Sequence, residues 1–382
     1  PYVLLTPGNF YEAGGFKAKH DQRHYDGPIP TAFILKPGDL LTAMTEQGEG
    51  LLGSAAFVPD GKPCLHNQRL GLISAKPDAA VELRFIYYVL NWKPVRQQLR
   101  ATATGAKIRH TSPSRIGAVT IPQYSLETQR RIASILGAYD DLIEMNRRRV
   151  AVLEEMARGL FEEWFVHFRF PGHEAVRTVE SELAPGPEGW ERETLADCAI
   201  VTMGQSPSSD FYNDKGEGLP FHQGVTNFGR HFPTHKTFCS SEGRLADEGD
   251  ILVSVRAPVG RINLSPSRLV LGRGLCAVRS RTGHQTFLLH RLFETFKEED
   301  SMGNGAIFKA VSKQEVLALP FLRPPAALVA AFETMAGPMW SLIRTLTRKN
   351  QNLRATRDLL LPKLISGEID VSGAPAPELA AA

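Results

Sequence analysis

His231, His235 and Cys239 stand four residues apart, the spacing at which a helix would place three metal-binding side chains on one face. Phe232-Pro233 interrupts any such helix, so no metal site is expected there. No G-x-x-x-x-G-K-[ST] phosphate loop and no G-x-S-x-G nucleophile elbow occurs. Methylation of an extruded adenine needs an Asn/Asp-Pro-Pro-aromatic loop, and "RPPA" (323–326) lacks both ends of it. The chain therefore reads as non-catalytic. What remains is hydrogen-bonding chemistry suited to base edges, where Arg or Lys pairs with guanine and Asn or Gln with adenine. In the first third, "GGFKAKHDQRHYDG" (14–27) offers Lys17, Lys19 and Arg23, and "HNQR" (66–69) offers Asn67, Gln68 and Arg69. Further on, Gln205 and Ser206 stand in "GQSP", Gln223, Asn227 and Arg230 follow, and Arg256 and Arg261 flank "APVG". Any one of these is equally well a phosphate contact, which positions without specifying, or an exposed side chain with no ligand.

Charge supports the same class of partner. The net charge of the 382 residues is only +3. Residues 1–124, however, hold 14 Lys/Arg against 9 Asp/Glu, and between Asp250 and Glu294 there are seven arginines (256, 261, 268, 273, 279, 281, 291) and no acid. A segregated basic patch attracts phosphates; the alternative is a solvated, strand-rich surface. No run of about 18 apolar residues occurs, so no membrane span is expected. Cys64, Cys198, Cys239 and Cys276 are scattered without a C-x-x-C, which fits a reducing cytoplasm and argues against a zinc ribbon or a disulfide framework.

The elements that must position these residues come in two copies. "GAKIRHTSPSRIGAVTIP" (105–122) matches "GAIFKAVSKQEVLALPFL" (305–322), with Arg109 answering Lys309. "LKPGDLLTAM" (35–44) matches "ADEGDILVSV" (246–255), "CLHNQRLGLI" (64–73) matches "LVLGRGLCAV" (269–278), and "PYVLLTPGNF" (1–10) matches "PFHQGVTNFG" (220–229). The offsets shrink along the chain, as insertions and deletions in loops would make them. The second copy carries "GWERETLADCAIVTMGQSPSSDFYNDKGEGL" (189–219) ahead of its match, so about 30 residues are expected to be missing before Pro1. Each copy has the short apolar runs and Gly/Pro/Asn breaks of a β-rich domain, with one short helix, at 82–92 and 285–296.

Each copy then continues into a long helix. After Ser125, a suitable N-cap, Ile132, Leu136, Tyr139, Ile143, Asn146, Val150, Leu153, Ala157, Leu160 and Trp164 step by alternating fours and threes, a sustained heptad. In the second copy Phe332, Met335, Met339, Leu342, Leu346, Lys349, Leu353, Thr356 and Leu360 do the same, with kinks expected at Pro338 and Pro362. Two lone seams are expected to zip antiparallel, Asn146 opposite Lys349 and Trp164 near Phe332, giving the duplicated halves an approximate two-fold relation. The expected partner-docking residues are Arg147 and Arg148, off the seam, with Trp164 and Phe165 as aromatic anchors.

These features resemble the specificity subunit of type I restriction–modification systems. The resemblance rests on "IPQYSLETQRRIASILGAYDDLIEMNRRRVAVLEEMARGLFEEWFVHF" (121–168), on the closing "RDLLLPKLISGEIDV" (357–371), and on "VTMGQSPSS" (201–209) and "SVRAPVG" (254–260). It implies an α+β fold with two β-rich target-recognition domains joined by two long antiparallel coiled-coil helices. The expected segments are a truncated first recognition domain (1–124), a central helix (125–168), a linker (169–188), a second recognition domain (189–324), a C-terminal helix (325–366) and a flexible tail (367–382). It also implies double-stranded DNA as ligand, two adenine methyltransferase subunits as partners, a translocase-nuclease subunit able to join them, no membrane, and a cytoplasmic location. No cofactor is expected on this chain, S-adenosylmethionine belonging to the methyltransferase. The competing reading is a coiled-coil scaffold with two adaptor heads that do not touch DNA, or the specificity subunit of a related two-component system.

Overall fold

The computed structural model describes residues 2–18, 21–179, 185–241, 243–297 and 310–373. Two compact units result, Pro1–Met145 with Lys349–Ala382 (unit 1) and Asn146–Arg348 (unit 2). The sequence segments are thus regrouped, because each half of each long helix packs on its own unit.

Strand pairing bears out the internal duplication. In unit 1 the strand Leu40–Ala43 lies between Ala55–Phe57 and Leu70–Ile73, antiparallel to both. In unit 2 Ile251–Ser254 lies between Ile262–Leu264 and Leu275–Ser280 in the same way, Leu252 opposite Ala277 as Leu41 is opposite Leu72. All four residues of each central strand are buried, which is why neither Leu-Leu-Thr-Ala nor Ile-Leu-Val-Ser shows the apolar–polar alternation of a half-exposed strand. Each unit also has one parallel pair, Tyr2–Leu4 beside Cys64–Leu65 and Leu219–His222 beside Leu269–Leu271. Its register matches Leu4 to Phe221, two residues away from the alignment drawn by sequence. The matched stretches 105–122 and 305–322 follow suit: Thr45 bridges His110 in unit 1 and Arg256 bridges Ala310 in unit 2. Gly305–Lys309 lies outside the described residues. Gly105 is at φ 97°, and a Cβ there would fall 2.0 Å from the Ile108 carbonyl oxygen, so the turn into Arg109–His110 requires glycine.

The copies differ in two respects. Unit 1 has two short helices where one was expected, Leu83–Asn91 and Lys93–Ala101, split at Trp92 with Pro94 in the first turn of the second. Unit 2 adds the strand Ala199–Met203 beside Leu275–Ser280, whereas the matching edge of Leu70–Ile73 pairs with no strand among the described residues and leaves Leu72 47% exposed.

The first long helix runs Leu126–Phe161 and widens into a π-helical turn, Glu162–Val166. Ser125 Oγ accepts the Thr128 N–H as the cap chemistry requires. Ile132, Leu136, Ile143, Asn146, Val150, Ala157 and Trp164 of the expected seam are buried. Gly137 sits mid-helix because a Cβ would fall 2.6 Å from the Arg84 guanidinium, which reaches across to the Gly137 carbonyl and to Asp141.

The second long helix runs Ala326–Ser366 through both prolines. Its expected seam is borne out at Phe332 and Leu346, which are buried, and in part at the half-buried Met339, Leu353 and Leu360, but not at the other positions. Met335 and Leu342 are nearly half exposed, and Lys349 and Thr356 are exposed, while Phe332, Ala336, Trp340, Ile343, Leu346 and Asn350 are buried. Asn350, not Lys349, is the buried polar member; its Nδ2 donates to the Ile143 carbonyl at 3.1 Å. Within unit 1 the helices run antiparallel: Tyr124 bonds to Ile365, Asp140 to Arg357 and Ile143 to Asn350, one number rising as the other falls. Within unit 2, Trp164 lies 6.4 Å from Phe332, as expected.

This second helix is, contrary to the run-length argument, long and apolar enough by composition to cross a membrane. The unbroken-run criterion missed it because Glu333 and small residues interrupt the stretch. Its inward face is nonetheless part of the unit 2 core, and Glu333 accepts the N–H groups of Thr286 and Phe287. The expected flexible tail is also corrected for Gly367–Gly373. Val371 is buried and its carbonyl accepts from Arg131, because an apolar residue placed after the helix end can fold back onto the core.

Candidate nucleic-acid interface

In unit 1 the strand Thr45–Glu46 pairs with Arg109–His110 and forms one wall of a cleft of about 410 Å³. The turn Pro7–Asn9, the segment Asp21–Arg23 and Arg69 line the rest. Two predicted readers, Arg23 and Arg69, are thus brought together. The others are dispersed. Lys17 is exposed, its ammonium 5.9 Å from the Tyr11 ring centre. Asn67 Oδ1 accepts the Arg69 N–H at 2.9 Å and so shapes its own turn. Gln68 is exposed, and Lys19 lies outside the described residues.

In unit 2, Ser206 Oγ donates to Gln223 Oε1 at 2.7 Å and accepts the Arg273 N–H at 3.2 Å, tying the "GQSP" turn to the loop after Leu219–His222. Gln205 and Gln223 are exposed at this junction. Asn227 closes a short turn, its carbonyl accepting from Thr234. Arg256 and Arg261 are exposed on the same hairpin, where Ser254 Oγ donates to Pro258 and accepts the Arg261 N–H. Arg230 is differently placed: it forms an ion pair with Glu154 at 2.5 Å, and His231 is buried against the same carboxylate. Burial raises the Glu154 carboxyl pKa and Arg230 opposes that shift. His235 faces His222 at 3.0 Å, and among the described residues no group of three metal-capable side chains converges.

The seven-arginine stretch is less of a patch than its sequence implies. Arg279 is held by Asp247 and Asp250, Arg268 faces Asp247, and Arg281 donates to the Ala196 carbonyl. Arg291 is buried between the Phe287 and Phe321 rings and paired with Glu193. The acids that neutralise it lie outside the stretch and are brought back by sheet pairing. Arg256, Arg261 and Arg273 are exposed, and the Arg273 N–H donates to Ser206 Oγ at the Ser206–Gln223 junction.

The partner-docking residues need correction. Arg147 and Arg148 are exposed. Trp164 is buried, and Phe165 packs on Phe287 at 4.8 Å and on Phe332 at 5.4 Å. Both belong to the core of unit 2, because the π-helical turn swings them inward. The exposed apolar residues of the helices are others: Leu142, Met145 and Leu359 in unit 1, and Val152, Met156, Met335 and Leu342 in unit 2. Sequence reasoning also passed over Glu46, Gln47 and His110, which line the unit 1 cleft. Their one signal was position, directly after a fully buried strand and at the strand it pairs with.

The model of the type I restriction modification DNA specificity domain matches residues 20–155. The MjaX type I restriction enzyme specificity subunit of Methanocaldococcus jannaschii is 29% identical over 341 residues, covering 87% of this chain and 79% of that protein. The MjaIX specificity subunit of the same organism is 26% identical, covering 81% and 74%. The crystal structure of a type I restriction–modification S subunit from M. genitalium shares the fold, with a TM-score of 0.54 at 16% identity over 95% of this chain and 88% of that one. The duplicated fold and the helical signature therefore agree with the comparisons: residues 20–155 match the type I specificity domain, and over most of its length the chain is similar to type I restriction enzyme specificity subunits.

Proposed function

We infer that this chain is the non-catalytic, DNA-reading subunit of a type I restriction–modification complex. Each unit reads one half of a bipartite duplex site, and the long helices dock two adenine methyltransferase subunits that carry S-adenosylmethionine. The observation that carries this reading is the repeated strand framework. It twice places a hairpin after a buried central strand next to a polar loop: Thr45–Glu46 lines a cleft with Arg69 in one copy, and in the other Val255, just before Arg256, is linked through Gly274 to Gln223, which holds Ser206. Duplicated heads suit a duplex whose backbone is itself two-fold symmetric.

The docking surface is the exposed stripe, not the aromatic turn. Apolar side chains on solvent-facing helix positions mark an interaction site when they recur at helical spacing. Replacing Met156 and Val152 together by Glu is expected to weaken methyltransferase association tenfold or more, on the order of 1.4 kcal/mol, while leaving the unfolding midpoint nearly unchanged. Sedimentation of the mixed subunits and a thermal melt of the chain alone read the two outcomes. The DNA reading is tested by titrating the assembled complex onto duplex at several salt concentrations. Affinity falling steeply and log-linearly with salt supports it; no salt-dependent binding to any duplex overturns it.

A further inference from the structure

Glu46 is 4% exposed, and its two oxygens differ. Oε2 accepts the N–H groups of Gly50, Leu51 and Leu52 at 3.1, 3.0 and 2.9 Å, which fixes the loop after the strand. Oε1 has no hydrogen-bond partner among the described residues, although Glu46 forms part of the cleft wall. The nearby guanidinium does not satisfy it. Arg96 donates to the carbonyls of Leu52, Glu12 and Gly50. A buried carboxylate oxygen left without a donor is costly, so a small shift of the cleft lining that admits a donor to Oε1 gains a strong hydrogen bond.

The shape of the site restricts that donor. A recessed acceptor cannot reach into a DNA groove, as a side chain reading a stacked base must. A cleft of about 410 Å³ is instead of the size that encloses a small ligand. Arg23 and Arg69 on its lining supply cationic donors suited to a phosphate, and Gln47 offers both a donor and an acceptor. We propose that this cleft receives one nucleotide turned out of the DNA stack, its exocyclic amine donating to Glu46 Oε1 and its phosphate held by Arg23 and Arg69. This rests on the DNA-reading function inferred above and adds to it a pocket for a single base. Adenine, cytosine and guanine each carry such an amine; thymine does not.

Glu46→Gln is the informative substitution. The glutamine oxygen can still accept from the loop, while its NH2 replaces the free acceptor with a donor that repels an amine. The assembled complex is bound to its duplex site carrying 2-aminopurine at one position at a time. Emission is expected to rise at a position other than the methylated adenines. At that position, a nucleoside lacking the amine (purine riboside for adenine, inosine for guanine, pyrimidinone for cytosine) should weaken wild-type binding by about tenfold to a hundredfold, and the one that does so names the base. Glu46→Gln should abolish that difference. Emission rising only at methylated adenines, or wild-type binding indifferent to the amine, overturns the proposal without needing any variant. An equal penalty in wild type and Glu46→Gln overturns it as well. A wild-type complex that binds no duplex would instead remove the DNA-reading function itself.

Discussion

Phe332→Ala is expected to lower the stability of unit 2 by about 3–5 kcal/mol. Phe332 is fully buried, and five rings surround it: Phe165 at 5.4 Å, Phe161 and His290 at 5.8 Å, Phe287 at 6.1 Å and Trp164 at 6.4 Å. All five meet it edge-on or nearly so, the arrangement in which ring quadrupoles attract. Truncation removes the transfer free energy of the ring and leaves a cavity that five bulky neighbours cannot collapse to fill. Trp164→Ala should cost a comparable amount for the same reason, since Trp164 is buried in this cluster and does not face outward. Urea unfolding of the full chain reads both, as a lower midpoint at unchanged slope. If Trp164→Ala left the midpoint in place and weakened methyltransferase association alone, the ring would be a docking contact after all.

How far the sequence could be read differs by element, for physical reasons. The duplication was legible because strand registers preserve spacing, so Leu41 and Leu252 take the same place opposite Leu72 and Ala277. The seam of the first long helix was legible because its apolar positions form one dominant stripe. The second helix offers two continuations from Phe332, one through Ala336, Trp340 and Ile343 and one through Met335, Met339 and Leu342. Periodicity cannot say which faces inward, and the small Ala336 made the inner stripe look the weaker. Ala336 is fully buried because its small side chain lets bulky neighbours approach. The arginine stretch misled for a different reason. Charge runs count neighbours along the chain, whereas Asp247, Asp250 and Glu193 arrive through sheet and loop contacts. At the candidate interface, loop composition led to Arg23 and Arg69 but not to Glu46, whose importance lies in a hydrogen bond it does not make.

Unit 2 should also lose stability between pH 7 and pH 5, by about 2 kcal/mol for each of two imidazoles if they act independently. Burial pushes the His290 pKa down to about 4, with Arg158 adding to the shift, and burial with the neighbouring His235 does the same for His222. Both side chains are almost fully enclosed, so solvent does little to screen the effect. The unfolded chain titrates near the ordinary value of about 6.5. Between the two values the unfolded state takes up protons that the folded state refuses. Stability is therefore intact above about pH 6.5, falls as the pH drops, and levels off below about 4. His231 is left out of the sum. Burial and Arg230 depress it, but the facing Glu154 carboxylate pulls the other way. His290 provides a local reporter. Its Nε2 accepts the Trp340 indole N–H at 2.8 Å, which requires an unprotonated Nε2. Protonation would set two donors against each other in the core, so Trp340 emission and the urea midpoint should change together with pH. Imidazole proton resonances followed by NMR give the direct measurement. A His290 midpoint near 6.5 in the folded chain, or a urea midpoint equal at pH 7 and pH 5, would show that the ring reaches water and that the core around Trp340 is looser than its geometry requires.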